Sequence, residues 1–201
     1  MQNDPKRIIQ NIGKIFFTNE GLHPKGSRIW IDDCGWYLII VEFQPSGYAK
    51  GTYLNLAIHY LWKETDHFTY DYGGRIDTFR EFTGDAERFS TEVAELAQIA
   101  MRQIGEYRKF RDLGYARTRI LKSKAANKTH ELYNKMMVCG LCKDTVAKKY
   151  FCQLQKKLQN IEYSWEEQIY TELVEQIAPI INDPQEMYAY VVAKVTRQRD
   201  F

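Results

Sequence analysis

The chain has 201 residues and a formal net charge of +2; 44% of it is hydrophobic and 14% aromatic. That is enough apolar material for a sizeable core, which excludes a disordered chain. No run of about 18 apolar residues occurs, which argues against a membrane helix, and the start MQNDPKRIIQ has no apolar signal region, so a cytoplasmic protein without membrane contact is expected.

Asp4-Pro5 reads as a helix cap followed by proline at the first helical position, where its missing N–H costs nothing. Ile8, Ile9, Ile12, Ile15 and Phe16 then recur at helical spacing, and Gly21 is expected to end the helix. Residues 23–26 read as a loop. Residues 27–32 read as a strand, with Ile29 and Ile31 on one face and Arg28 and Trp30 on the other. Asp33-Cys34-Gly35 turns into the two strands that organise the chain, residues 36–44 and 52–62. They are joined across residues 45–51, where Pro45 and Gly47 break the run.

Alternation along these strands separates two faces. Tyr37, Ile39, Val41 and Phe43 form one apolar row, and Leu54, Leu56, Ile58, Tyr60 and Trp62 another. The opposite rows are mixed: Trp36, Leu38 and Ile40 give way to Glu42 and Gln44, while Tyr53, Asn55, Ala57 and His59 alternate with the apolar row. The sheet is expected to have one dry face and one mixed face.

Residues 76–82 read as a short strand. From Asp85 the period is helical, with Phe89, Val93, Leu96, Ala100, Ile104 and Tyr107 lining a helix closed near Gly114. Helices follow over 115–126 and 130–139, then one capped by Asp144 with Ala147, Phe151, Leu154 and Leu158 on its stripe. Ser164 and Glu167 have capping-box spacing, and Asp183-Pro184 repeats the device of Asp4-Pro5. The expected fold is α+β. An N-terminal helix and small antiparallel sheet occupy residues 1–84, and an all-helical C-terminal half, 85–201, forms a bundle packed on the sheet.

Three segments carry a likeness: Gly21-Leu22-His23-Pro24-Lys25-Gly26-Ser27-Arg28-Ile29-Trp30, then Val41-Glu42-Phe43-Gln44-Pro45-Ser46, then Tyr53-Leu54-Asn55-Leu56-Ala57-Ile58. Over roughly residues 1–62 the chain resembles a bacterial family of uncharacterised domains. That family has a glycine–aromatic pair and a lysine-bearing loop before a strand, a Gln-x-Ser strand end, and an asparagine inside the next strand. Leu22 stands where the family has an aromatic. The resemblance implies an α+β fold and brings no activity with it.

Four cysteines are present: Cys34, Cys139, Cys142 and Cys152. Without a secretory signal, free thiols are expected. Cys139-x-x-Cys142 follows a helical stretch, whereas a redox motif needs a helix N-terminus beneath it. Cys139, Cys142, Cys152 and His130 match no common zinc spacing. Neither metal nor cofactor is expected.

The mixed sheet face gathers Trp30, Glu42, Gln44, Asn55 and His59 as a candidate ligand site, with aromatic walls and a few convergent polar groups. Glu42 and His59 are its one arguable acid–base pair. Residues 101–160 hold 15 Lys and Arg against 4 Asp and Glu. Within them Arg117, Arg119, Lys122, Lys124 and Lys128 form a candidate nucleic-acid footprint; the competing reading is a solvated face balanced by acidic helices carrying Glu166, Glu167, Glu172 and Glu175. The expectation is a non-enzymatic cytosolic protein that binds another protein. A nucleic-acid-binding protein is the alternative, and an acid–base or hydrolytic enzyme on the mixed face comes third.

Overall fold

Asp4 starts the first helix as expected: its carboxylate accepts the Lys6 N–H at 3.0 Å, and α1 runs Pro5–Phe16. The computed structural model describes residues 4–199. It is α+β, with two units. One is Met1–Tyr60 with Thr65–Lys109, and the other is Leu61–Glu64 with Phe110–Phe201.

The first unit holds the sheet. Strands β1 (His23–Lys25), β2 (Ile29–Asp33), β3 (Tyr37–Gln44), β4 (Gly51–Tyr60) and β5 (Tyr72–Arg75) form an antiparallel meander in chain order, and β6 (Arg80–Glu81) pairs with the start of β4. Residues 23–25, expected as a loop, are an edge strand. Pro24 sits opposite Trp30, and an edge is where a residue without an N–H can join a sheet.

The register sets the faces. Trp30 lies opposite Val41, and Val41 opposite Leu56. The dry face therefore carries Trp30, Asp32, Tyr37, Ile39, Val41, Phe43, Leu54, Leu56, Ile58 and Tyr60. Helix α1 covers it by laying Gly13 on the Trp30 ring and packing Phe17 against Trp30 and Phe43. Helix α2 (Ala86–Arg108), capped by Asp85, lies on the same face: Tyr37 donates to the Tyr107 carbonyl at 2.8 Å, and Arg108 Nε meets Asp32 at 2.6 Å. The sequence reading assigned this helix to the all-helical half. It belongs to the unit of the sheet, because its apolar stripe is the cover the dry face needs.

The second unit contains α3 (Leu113–Lys122), α4 (Lys128–Leu141), α5 (Ala147–Lys157), α6 (Ser164–Glu172) and α7 (Pro184–Gln198). Gly114, expected to close a helix, stands in the first turn of α3, because Asp112 accepts the Tyr115 N–H and caps a new helix there. Gly140, expected in a turn, lies inside α4. It lets α7 approach: a Cβ there would sit 2.8 Å from Met187 Cγ. Helix α4 is buried over nearly its whole surface, as a helix enclosed by others must be. Several of its polar side chains are matched: Asn134 accepts the Trp62 indole N–H at 3.1 Å, Thr129 donates to Glu166 at 2.6 Å, and Lys135 pairs with Glu131 at 2.7 Å.

Helix α6 starts differently from its expected capping box. Ser164 is its first helical residue and caps nothing. The inward Glu166 instead reaches back to accept the Glu162 N–H at 2.9 Å. After α6 the backbone widens into a π turn, Leu173–Ile177, closed by the Ala178 N–H on the Leu173 carbonyl at 2.9 Å. Among the described residues no helix is long and apolar enough to cross a membrane.

Candidate functional site

The mixed sheet face brings three of its five expected residues together. Asn55 pairs with Glu42 across β3 and β4, and Gln44 is its diagonal neighbour. Asn55 Nδ2 donates to Glu42 Oε2 and to Gln44 Oε1, both at 2.9 Å. Tyr70, from the connection before β5, donates to the same Glu42 oxygen. Arg75 donates to Gln44 Oε1 at 2.8 Å and lies 3.8 Å above the Tyr53 ring. Burial and then the Glu42 carboxylate push the Tyr70 phenol well above its ordinary value, so it stays a donor. Asn55 Nδ2, Glu42 Oε2, Gln44 Oε1, the Tyr70 hydroxyl and one Arg75 nitrogen are bonded to one another. The cluster ties β3, β4 and β5 together and aims none of these bonds at open space.

The other two residues are elsewhere. Trp30 is on the dry face, opposite to Glu42, because Trp30 pairs with Val41 and neighbouring side chains alternate. It is fully buried between Phe17 and Phe43, and its indole N–H has no hydrogen-bond partner among the described residues. His59 shares the mixed face but lies four residues along β4 from Asn55, about 13 Å at the rise of a strand. The expected Glu42–His59 acid–base pair therefore does not form. His59 Nδ1 accepts the Thr69 backbone N–H at 3.2 Å, which fixes the proton on Nε2. Asp71 stands 3.8 Å from that Nδ1 and is held by the Tyr60 N–H and the Thr69 hydroxyl, each at 2.9 Å. With the ring fully buried, this is a fold-supporting histidine.

Cys139 and Cys142 sit at the C-terminal end of α4. The partial charge there disfavours a thiolate, the reverse of a helix N-terminus. Burial, reinforced by Asp144, pushes the Cys139 thiol up to about 12, and burial raises Cys142 too. Among the described residues no group of three or more His, Cys, Asp and Glu is placed to hold a metal ion.

The basic segment divides. Arg117 is committed to Asp144, with Nε 2.6 Å from the carboxylate, and Lys128 is 2.6 Å from Glu131. Arg119, Lys122 and Lys124 are exposed. Two of the acids expected to balance the basic segment are engaged with other residues of the second unit. Glu166 goes to Thr129, and Glu172 accepts from Tyr133, Tyr190 and Lys194 at 2.8, 2.6 and 2.8 Å.

A cluster of exposed apolar side chains lies on α6 and its approaches. Among the described residues, four of the seven exposed large hydrophobic side chains are here: Ile161 at 39% exposure, Tyr163 at 54%, Tyr170 at 40% and Val174 at 42%. Glu167 and Tyr170, three residues apart, share one side of α6; Tyr163 immediately precedes the helix and Val174 lies in the π turn that follows it. Tyr163 also stacks on Trp165 at 6.0 Å, and Trp165 on His130 at 4.4 Å, so the Tyr163 ring is backed by two more. Glu162, Glu167 and Glu175 stand exposed around this strip, and no Lys or Arg occurs between Lys157 and Lys194. Sequence reasoning noted the acids and passed over the strip. Its signal was the aromatic spacing together with the run free of basic residues.

No protein family, no curated protein and no solved structure matches the chain in any of the three comparisons.

Proposed function

We propose that this is a non-enzymatic protein that binds another protein, and that the strip Ile161, Tyr163, Tyr170 and Val174 docks a partner segment rich in Lys and Arg. The observation that carries the reading is the concentration of exposed aromatic and aliphatic side chains there, bordered by the exposed acids Glu167 and Glu175; the third acid of the rim, Glu162, pairs with Lys157 at 3.8 Å. Exposed apolar side chains gathered in one place mark interaction surfaces. Tyrosine supplies large contact area at low entropic cost. Glu167 and Glu175 make no ion pair among the described residues, so their field is available to steer a cationic partner. Lys and Arg suit the strip twice, through their charge on the rim and their stems or guanidinium groups on the tyrosine rings.

Enzymatic readings have less support, since Glu42 and His59 lie apart and both are engaged in the fold. A cytoplasmic location agrees with four free cysteines.

The test is fluorescence anisotropy with two labelled probes, a helical peptide alternating Arg and Leu on one face and a single-stranded DNA oligonucleotide. The peptide should bind saturably at about 0.15 M salt, and the oligonucleotide should not. Binding of the oligonucleotide that falls steeply with salt and is lost in Lys122→Glu/Lys124→Glu would replace this reading with nucleic-acid binding.

A further inference from the structure

A second site lies in the sheet-bearing unit, independent of the α6 strip. A cleft of about 470 Å³ opens between the start of α1 and the connection from β3 to β4. That volume falls within the range of small-molecule sites, roughly 300–1,000 Å³. Lys6, Arg28 and Lys50 line it, drawn from three separate parts of the chain. None of the three makes an ion pair among the described residues. The one acid in the lining, Asp4, has its Oδ1 on the Lys6 backbone N–H as the cap of α1. Three cations facing one concave surface raise the local potential for anions. They repel one another when the cleft is empty, so nothing in the fold's own stability calls for them there.

The lip adds a second element. Tyr48 is fully exposed, as no other aromatic among the described residues is. Its backbone N–H donates to the Ser46 hydroxyl at 3.1 Å, which fixes the turn that presents it. A ring on the rim of a cationic cleft offers a stacking face beside a phosphate-binding floor. Arg28 is half-buried, and its planar guanidinium can hold two phosphate oxygens together.

We infer that this cleft binds a small phosphate monoester bearing a planar ring, a ligand of mononucleotide type. Arg28, Lys6 and Lys50 take the phosphate and Tyr48 stacks on the ring. The openness of the cleft on one side implies modest affinity.

The experiment is NMR titration of the full chain with adenosine monophosphate, adenosine and inorganic phosphate, each separately. The monophosphate should shift resonances at residues 4–9, 28 and 45–51 and bind at least tenfold tighter than adenosine or phosphate. Arg28→Gln and Lys50→Gln should each weaken it at least fivefold. Tyr48→Ala should weaken the monophosphate while leaving the phosphate titration unchanged. Among the described residues none of Arg28, Lys50 and Tyr48 has a side-chain bond that supports the fold, so all three variants should keep the wild-type melting temperature, which checks that they are folded. Equal affinity for adenosine and its monophosphate, or unchanged affinity in Arg28→Gln, overturns the phosphate assignment. Phosphate binding as tight as the monophosphate, with Tyr48→Ala without effect, overturns the ring assignment. Binding to phosphatidylserine vesicles that the monophosphate does not displace also overturns the proposal.

Discussion

Gly13→Ala sets helix propensity against packing, and the structure says which wins. Gly13 is inside α1, where alanine is favoured over glycine by about 0.8–1 kcal/mol. Propensity alone predicts a more stable protein. Yet a Cβ at Gly13 would overlap three atoms of the Trp30 indole. That ring cannot yield, because it is fully buried with Phe17 at 5.3 Å on one side and Phe43 at 5.9 Å on another. Overpacking costs about 1–3 kcal/mol, and three overlaps on a ring held from two sides place this case at roughly 2–3 kcal/mol. The alternative is for α1 to lift, which would loosen the buried Ile9, Ile12 and Phe17 from their contacts. The net expectation is a loss of roughly 1–2 kcal/mol. At about 2–4 °C per kcal/mol for a chain of this size, Tm should fall by about 2–8 °C. Urea unfolding followed by tryptophan fluorescence measures it. Gly105→Ala is the control: it lies in α2 with nothing within 4 Å of the added Cβ, so propensity should prevail and stability rise by up to about 1 kcal/mol. A Gly13→Ala protein as stable as the wild type, or more so, would refute the packing of α1 on Trp30.

Arg117→Ala should cost about 1–2 kcal/mol in the same assay, since it strips Asp144 of a charged partner, while Lys122→Ala and Lys124→Ala should stay within about 0.5 kcal/mol. Ellman's reagent at pH 8 should modify the exposed Cys152 quickly and the half-buried Cys142 more slowly, and leave the buried Cys34 and Cys139 until urea is added; rapid release from three or more thiols in native protein would contradict this burial. The Thr129 hydroxyl and then the Glu162 N–H hold the Glu166 carboxyl below its ordinary value. Its stabilising contribution is therefore complete above the ordinary carboxylate range and is lost as pH falls through the lowered value. Glu166→Gln should lower stability at pH 7 and flatten the fall between pH 5 and 3; an unchanged acid limb would show that Glu166 carries no such linkage.

Strand and helix identities were readable because periodicity records burial. The alternation from Tyr37 to Phe43 gave the dry face, and Asp4-Pro5 and Asp183-Pro184 marked two helix starts that the cap bonds bear out. Register was another matter. Trp30 was grouped with Glu42 because strand alternation fixes faces within a strand, and only the Trp30–Val41 pairing relates one strand to the next. Glu166 and Glu167 show the same limit on α6: one is buried on Thr129 and the other stands in solvent, a difference of helical angle that capping-box spacing could not decide. The cleft at α1 joins Lys6, Arg28 and Lys50, which are 22 residues apart at each step. No local motif reports such a meeting.

The central claim is that the α6 strip docks a cationic partner segment, and the affinity of the Arg–Leu helical peptide for a small set of variants tests it most directly. Tyr170→Ala/Val174→Ala should weaken the peptide at least tenfold, because anchors at the centre of a patch carry most of its binding free energy. Glu167→Lys should weaken it further and reduce its dependence on salt. Lys122→Glu/Lys124→Glu should not weaken it. Peptide affinity unchanged by the Tyr170 and Val174 truncations would contradict the account.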